Sequence, residues 1–224
     1  MAKTENTVFI KDEKLSLGGD KPRVLARLNL PLVCENAKAP FAKSFTAYYN
    51  AMREGFLQYL EGTLVKSADA SAGDEGFKPY GAVLSCTLGL ETEAVVSLYT
   101  DVAISMGDKK RVHRGAALWD KAMGVLLKPT QVFEKGGTKK LCPLLASAAE
   151  TYSEKTNSPL YSDYEKQLKK HFSPNNFYLS PKGVVFFYQA GVISSLQKPL
   201  PLHLPMEEVR PFLKGHFLEL IVNK

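Results

Sequence analysis

Apolar residues recur along this chain with two different periods, and the period changes mark its elements. Phe41, Phe45, Tyr48, Met52, Phe56, Tyr59 and Leu60 fall at three- and four-residue steps. That spacing predicts one face of a long amphipathic helix over about 40–63, entered at Asn36 to Pro40 with proline near the first turn. Before it, Val24, Ala26, Leu28, Leu30 and Leu32 alternate with other residues over Arg23 to Val33, the period of a half-buried strand. Gly18-Gly19-Asp20 reads as a turn separating this strand from a short one around Thr7-Val8-Phe9-Ile10. Residues 67–76 are small, polar and rich in breakers, and read as a mobile loop.

Beyond the loop, strands are predicted over 78–88, 91–105 and 110–119. Gly89 and Glu91 would turn the first pair, and Met106-Gly107-Asp108 the second. Consecutive strands with short turns imply an antiparallel meander. Helices follow over about 138–153, where Pro143 marks the true start or a kink, and about 160–172, with Tyr161, Tyr164, Leu168 and Phe172 on one face. Asn176–Ser180 and Val184–Gln189 flank Pro181-Lys182-Gly183 as a hairpin. Pro199–Leu204 is a further strand, Pro205 opens a short helix to about Leu213, and His216–Val222 reads as a last strand. The expected fold is α+β, an antiparallel β-sheet packed against a long N-terminal helix and further short helices. Residues 1–107 form the N-terminal half and 108–224 the C-terminal domain of one compact unit.

Composition narrows the class. At 224 residues, 45% hydrophobic and 23% charged, the chain is an ordinary globular protein, not a disordered, collagenous or coiled-coil one. No run of about 18 apolar residues is present, so no membrane segment is expected in this chain. The formal charge is +6, and a field of that sign favours anionic partners. Its one dense cluster, Lys109 to Arg114, lacks interleaved aromatics, and no nucleic-acid partner is expected. The strand period would place Lys109, Arg111 and His113 on one face and Lys110 and Arg114 on the other. The start is polar, with no apolar signal region. Two readings stand: a cytoplasmic protein, or one from which an export or membrane segment was removed.

Candidate chemistry is sparse. Cys34, Cys86 and Cys142 are widely spaced and form no CxxC. They read as buried small hydrophobes, with one disulfide and a free thiol as the alternative. No phosphate-cradling glycine loop and no nucleophile elbow occurs. His113, His171, His203 and His216 stand apart from one another, so no metal-ligand pair, cofactor or catalytic motif is expected. His203, inside Leu202-His203-Leu204, reads as a core or edge histidine. Trp119 reads as packing at a sheet end.

One stretch is more specific. Asn176-Phe177-Tyr178-Leu179-Ser180-Pro181-Lys182-Gly183-Val184-Val185-Phe186-Phe187-Tyr188 resembles the hairpin of the C-terminal domain of RsiV-like proteins. That hairpin reads Phe-x-Leu-(Thr/Ser)-x-x-Gly-(Ile/Val)-x-Phe-x-Phe. Leu202-His203-Leu204-Pro205 with Met206 to Leu213, and Trp119-Asp120 to Gly124 with Leu127 and Val132-Phe133, also resemble the family's pattern. The resemblance implies an α+β domain outside the bacterial membrane that binds lysozyme as a signal in anti-sigma factors. A similar domain precedes the catalytic domain of some peptidoglycan deacetylases. The family typically follows its hairpin with Asn/Gln-Pro-Tyr-Glu-Ile-Ala-Pro-Tyr. This chain has Gln189-Ala190-Gly191-Val192-Ile193-Ser194-Ser195-Leu196, in which Gln189 and Ile193 match. The expected binding surface is therefore Gln189, Gly191, Ile193 and Leu196, with Gly107 and His113 of the 106–114 turn second. The expected function is a non-catalytic bacterial binding or sensing module. Its partner would be a protein such as lysozyme or a cell-wall glycan. The alternatives are a cell-wall carbohydrate-binding accessory domain and a cytoplasmic stand-alone relative that has lost lysozyme binding.

Overall fold

The computed structural model describes residues 7–35 and 37–222. In chain order the strands and helices are β1 (Val8–Leu17), β2 (Val24–Val33), α1 (Ala39–Tyr59), α2 (Lys66–Ser71), β3 (Tyr80–Glu91), β4 (Val95–Met106), β5 (Lys109–Asp120) and β6 (Val125–Leu126). Then come α3 (Pro129–Val132), α4 (Gly137–Lys140), α5 (Cys142–Thr156), α6 (Tyr164–Lys170), β7 (Phe177–Ser180), β8 (Gly183–Tyr188), β9 (Leu200–Pro205), α7 (Met206–Val209) and α8 (Gly215–Val222). The fold is mixed α+β, with a six-stranded sheet ordered β1-β2-β3-β4-β5-β6 and a three-stranded sheet ordered β7-β8-β9. β2 and β3 pair in parallel, which requires a long crossover, and the α1–α2 segment supplies it. The chain divides into two compact units, one up to Thr87 plus Thr100–Val112, the other Leu88–Tyr99 plus His113 onward.

In the first unit α1 packs against β2, whose Val24, Ala26, Leu28 and Leu30 are buried. The parallel register sets Ala26 beside Ala82 and Leu28 beside Leu84, so β3 continues the same buried face. The helical stripe is Phe41, Phe45, Tyr49, Phe56, Leu60, Leu64 and Ala68. Tyr48 and Tyr59, expected on that face, are exposed at 36% and 39%. Steps of four overshoot a 3.6-residue turn by about 40° each, so a long stripe of this kind drifts off its face. A π-helical turn over Leu60–Val65 takes up that drift and keeps Leu64 and Ala68 buried.

The helix therefore runs on to Ser71, where a mobile loop over 67–76 is expected from composition. Ala68 is fully buried, Arg23 Nε donates to Asp69 Oδ1 at 2.8 Å, and the Tyr80 hydroxyl bonds Ser71 Oγ at 3.1 Å. These tertiary contacts override the loop-like composition until the chain passes Ser71.

In the second unit, Pro143 stands in the first turn of α5 and so marks its start. Gly89 lies inside β3 rather than in a turn, and a Cβ there would collide with the Leu179 carbonyl. The turn falls instead after Glu91, where Thr92 Oγ1 accepts from the Ala94 and Val95 amides. Close approach of β7 is completed by Ser97, a buried residue whose Oγ accepts from the Leu179 amide at 2.8 Å. Tyr161 and Leu160 lie ahead of α6, and Leu160 forms a single β-bridge with Ser194. The last segment is the helix α8, where a strand is expected. Its apolar residues suit either period, and packing decides: Phe217 is buried in the core, with Leu218, Leu220 and Ile221 against it. Trp119 is buried at the end of β5, paired with Leu126. Among the described residues none of the three cysteines forms a disulfide, and Cys86 is buried against Thr100 Oγ1 at 3.2 Å.

Candidate functional site

The second unit carries a groove of about 570 Å³ between α5 and β9. That lies within the range of small-molecule and cofactor sites, roughly 300–1,000 Å³. Along α5, Leu144, Ser147, Ala148, Thr151, Tyr152 and Lys155 recur at helical spacing and line one wall. The adjoining face of the helix, Leu145 and Ala149, is buried in the core and fixes the wall in place. The far wall is β9 with Ser180 at the end of β7, Lys182 of the β7–β8 turn and Glu208 of α7.

β9 is the outer strand of its sheet. Its register pairs Pro201 with Phe187, His203 with Val185 and Leu204 with Val184. The Phe187 amide donates away from β9, to the Asn176 carbonyl at 3.0 Å. Antiparallel pairs alternate between bonded and non-bonded, so Pro201 and His203 direct their backbone groups outward. Pro201 and Pro205 have no N–H, and the Pro205 carbonyl begins α7. The outer edge therefore presents two carbonyls, of Pro201 and His203, and one amide, of His203.

The rim is cationic. Lys155 and Lys182 are set against Glu208, and among the described residues none of the three is held in an ion pair. The His203 imidazole is held below its ordinary value, first by desolvation and then by the Lys182 ammonium. Two hydroxyls on the walls are already used: Ser180 Oγ donates to the Gly183 carbonyl, and Thr151 Oγ1 to Ser147.

The residues expected from sequence to bind lie outside this groove. Gln189 is a clamp: its Nε2 donates to the Arg114 carbonyl at 2.7 Å, and its Oε1 accepts from the Arg114 amide at 2.9 Å. The Arg114 guanidinium in turn lies 4.1 Å from the Tyr99 ring centroid. Ile193 is buried in the core, and its carbonyl accepts from the Tyr161 amide. Gly191 is an exposed turn residue at φ 74°, and its amide donates to the Leu196 carbonyl. Leu196 packs partly against the core. His113 is exposed on β5, and Gly107, at φ 57°, turns β4 into β5 in the other unit. Structure brings Gln189, Gly191, Ile193 and Leu196 into one turn, closed by the Gly191–Leu196 hydrogen bond and tied to its surroundings by Gln189 and Ile193.

The groove was legible only in part. Pro201 and Pro205 two residues either side of His203 are the sequence mark of an edge strand. Nothing in the spacing of Ser147, Thr151 and Lys155 separates a groove wall from a solvated helix face.

No family model matches the chain, and no curated protein matches it. Solved structures do. A DUF3298 family member from Bacteroides fragilis shares 12% identity at a TM-score of 0.66, covering 98% of this chain and 100% of its own. A DUF3298 family protein from Pseudomonas aeruginosa shares 11% identity at 0.62, covering 93% and 96%. The chain thus has the fold of these proteins from end to end.

Proposed function

We propose that this chain is a non-catalytic binding module, kin to the RsiV-like outer domain, whose ligand is held in the α5–β9 groove. The observation that carries the reading is the outward backbone edge at Pro201 and His203, open beside a large cationic-rimmed groove. The kinship is supported by the end-to-end likeness to DUF3298 proteins, a group related to the RsiV C-terminal domain. The groove is favoured over the 189–196 turn because Gln189 and Ile193 have structural tasks there. The remaining positions offer no large anchor of the kind that dominates protein interfaces. The net charge of +6 also opposes encounter with a basic partner such as lysozyme.

The test is a nuclear magnetic resonance titration of the isotope-labelled chain. Ligands are added separately: a c-type lysozyme, soluble peptidoglycan fragments, and a mixed peptide library. Amide shifts gathered at 144–155, 182 and 200–208 with fragments or peptides are the expected result. Lysozyme-induced shifts confined to 189–196 and 107–113 would overturn it.

A further inference from the structure

The chemistry of the groove narrows what it takes, given that it is the binding site. We propose that it holds an extended peptide segment bearing acidic side chains, aligned on the β9 edge through the His203 peptide group.

The backbone geometry comes first. In antiparallel addition one ligand residue exchanges both hydrogen bonds with an outward residue of the edge. His203 is the one residue of β9 that offers both partners outward. A second ligand amide, two residues along, reaches the Pro201 carbonyl. Pro201 and Pro205 donate nothing, so a long strand cannot zip onto this edge. The edge is thereby open to a short segment of fixed register and closed to sheet extension. A peptide supplies amide donors at the two-residue spacing that these carbonyls share.

Charge comes second. Lys182 on the hairpin turn and Lys155 at the end of the α5 wall flank the groove from opposite sides. Glu208 is the single carboxylate among its lining residues. Acidic side chains would meet both ammonium groups, while a basic peptide would meet the same two as repulsion. Leu144, Ala148, Tyr152 and Leu204 give the segment an apolar floor.

The experiment is fluorescence anisotropy on the full chain with a labelled, end-capped Glu-Val-Glu-Val-Glu peptide. Its comparators are Lys-Val-Lys-Val-Lys, the acidic peptide N-methylated at every peptide nitrogen, and free glutamate. The acidic peptide is expected to bind about tenfold tighter than the lysine peptide, and N-methylation to remove binding. His203→Pro deletes the outward amide at a position whose parity already tolerates proline, and is expected to lose binding. His203→Ala keeps that amide and should keep affinity. The double variant Lys155→Glu, Lys182→Glu should invert the preference between the two peptides. Thermal melts of each variant establish that it is folded. Equal affinity for free glutamate, insensitivity to N-methylation, or equal loss in His203→Ala and His203→Pro would each overturn the proposal. If peptidoglycan fragments shift the groove amides while no peptide binds, the groove reading stands and the peptide inference falls. If nothing shifts them, both fall.

Discussion

Gln189, expected at the binding surface, is tied into the fold by its side chain. Its carboxamide meets the Arg114 peptide group with a donor and an acceptor, as a strand neighbour would. Gln189→Ala leaves both backbone groups unsatisfied and is expected to cost about 1–3 kcal/mol, read from urea unfolding. Gly89→Ala is expected to be costly for a different reason, a Cβ that collides with the Leu179 carbonyl. Cys86 is held neutral by burial, its thiol pushed up to about 11. A thiolate-directed reagent at pH 8 should therefore leave it unlabelled in the folded chain and modify it on unfolding. His203 supplies a pH test. Its folded-state value lies below the ordinary 6.5, so the unfolded chain takes up the proton first as pH falls. The stability tied to it is fully present above 6.5 and is lost as pH falls through the lower folded-state value. A proton resonance titration of the imidazole should give a midpoint below 6.5.

At the scale of elements, the long helix is where pattern and packing diverge. A stripe read at strict helical spacing selects Tyr48, while the buried residue is Tyr49. Tyr49→Ala is expected to cost about 3–5 kcal/mol and Tyr48→Ala much less, a contrast that urea unfolding of the pair reads directly. Leu64→Ala, inside the π-helical turn, should cost about 2–5 kcal/mol, because Leu64 is 1% exposed. A cost near zero would mean that the π-helical turn does not bury Leu64. The β9 edge belongs to this scale too, since proline spacing there sets which backbone groups face outward.

For the molecule as a whole, the division into units does not follow one cut in the sequence. β3, β4 and β5 each pass from one unit to the other. A fragment of residues 108–224 lacks Leu88–Tyr99, and with it the buried Val95, Val96, Ser97 and Leu98. Such a fragment should show little dispersion in its amide spectrum, and adding residues 88–99 as a peptide should restore some. The ion pair of Lys121 with Glu91 at 2.9 Å spans two segments of the second unit, with both side chains nearly buried. Glu91→Gln leaves the lysine charge uncompensated there and is expected to destabilise by about 3–5 kcal/mol.

Local physics was readable from the chain: the period-two strands, the Gly18-Gly19 and Gly107 turns, the Pro181-Lys182-Gly183 hairpin and the start of α5 at Pro143. Each depends on neighbours a few residues away, and so on backbone sterics that the sequence states directly. Four features depended on contacts between distant segments. They are the parallel β2–β3 pair, the helical state of 66–71, the helical state of α8, and the meeting of α5 with the β9 edge. In each case the local preference was weak or ambiguous, and burial against residues far along the chain decided it. The groove is of this second kind. Its walls come from segments some fifty residues apart, and no spacing within either wall encodes the other.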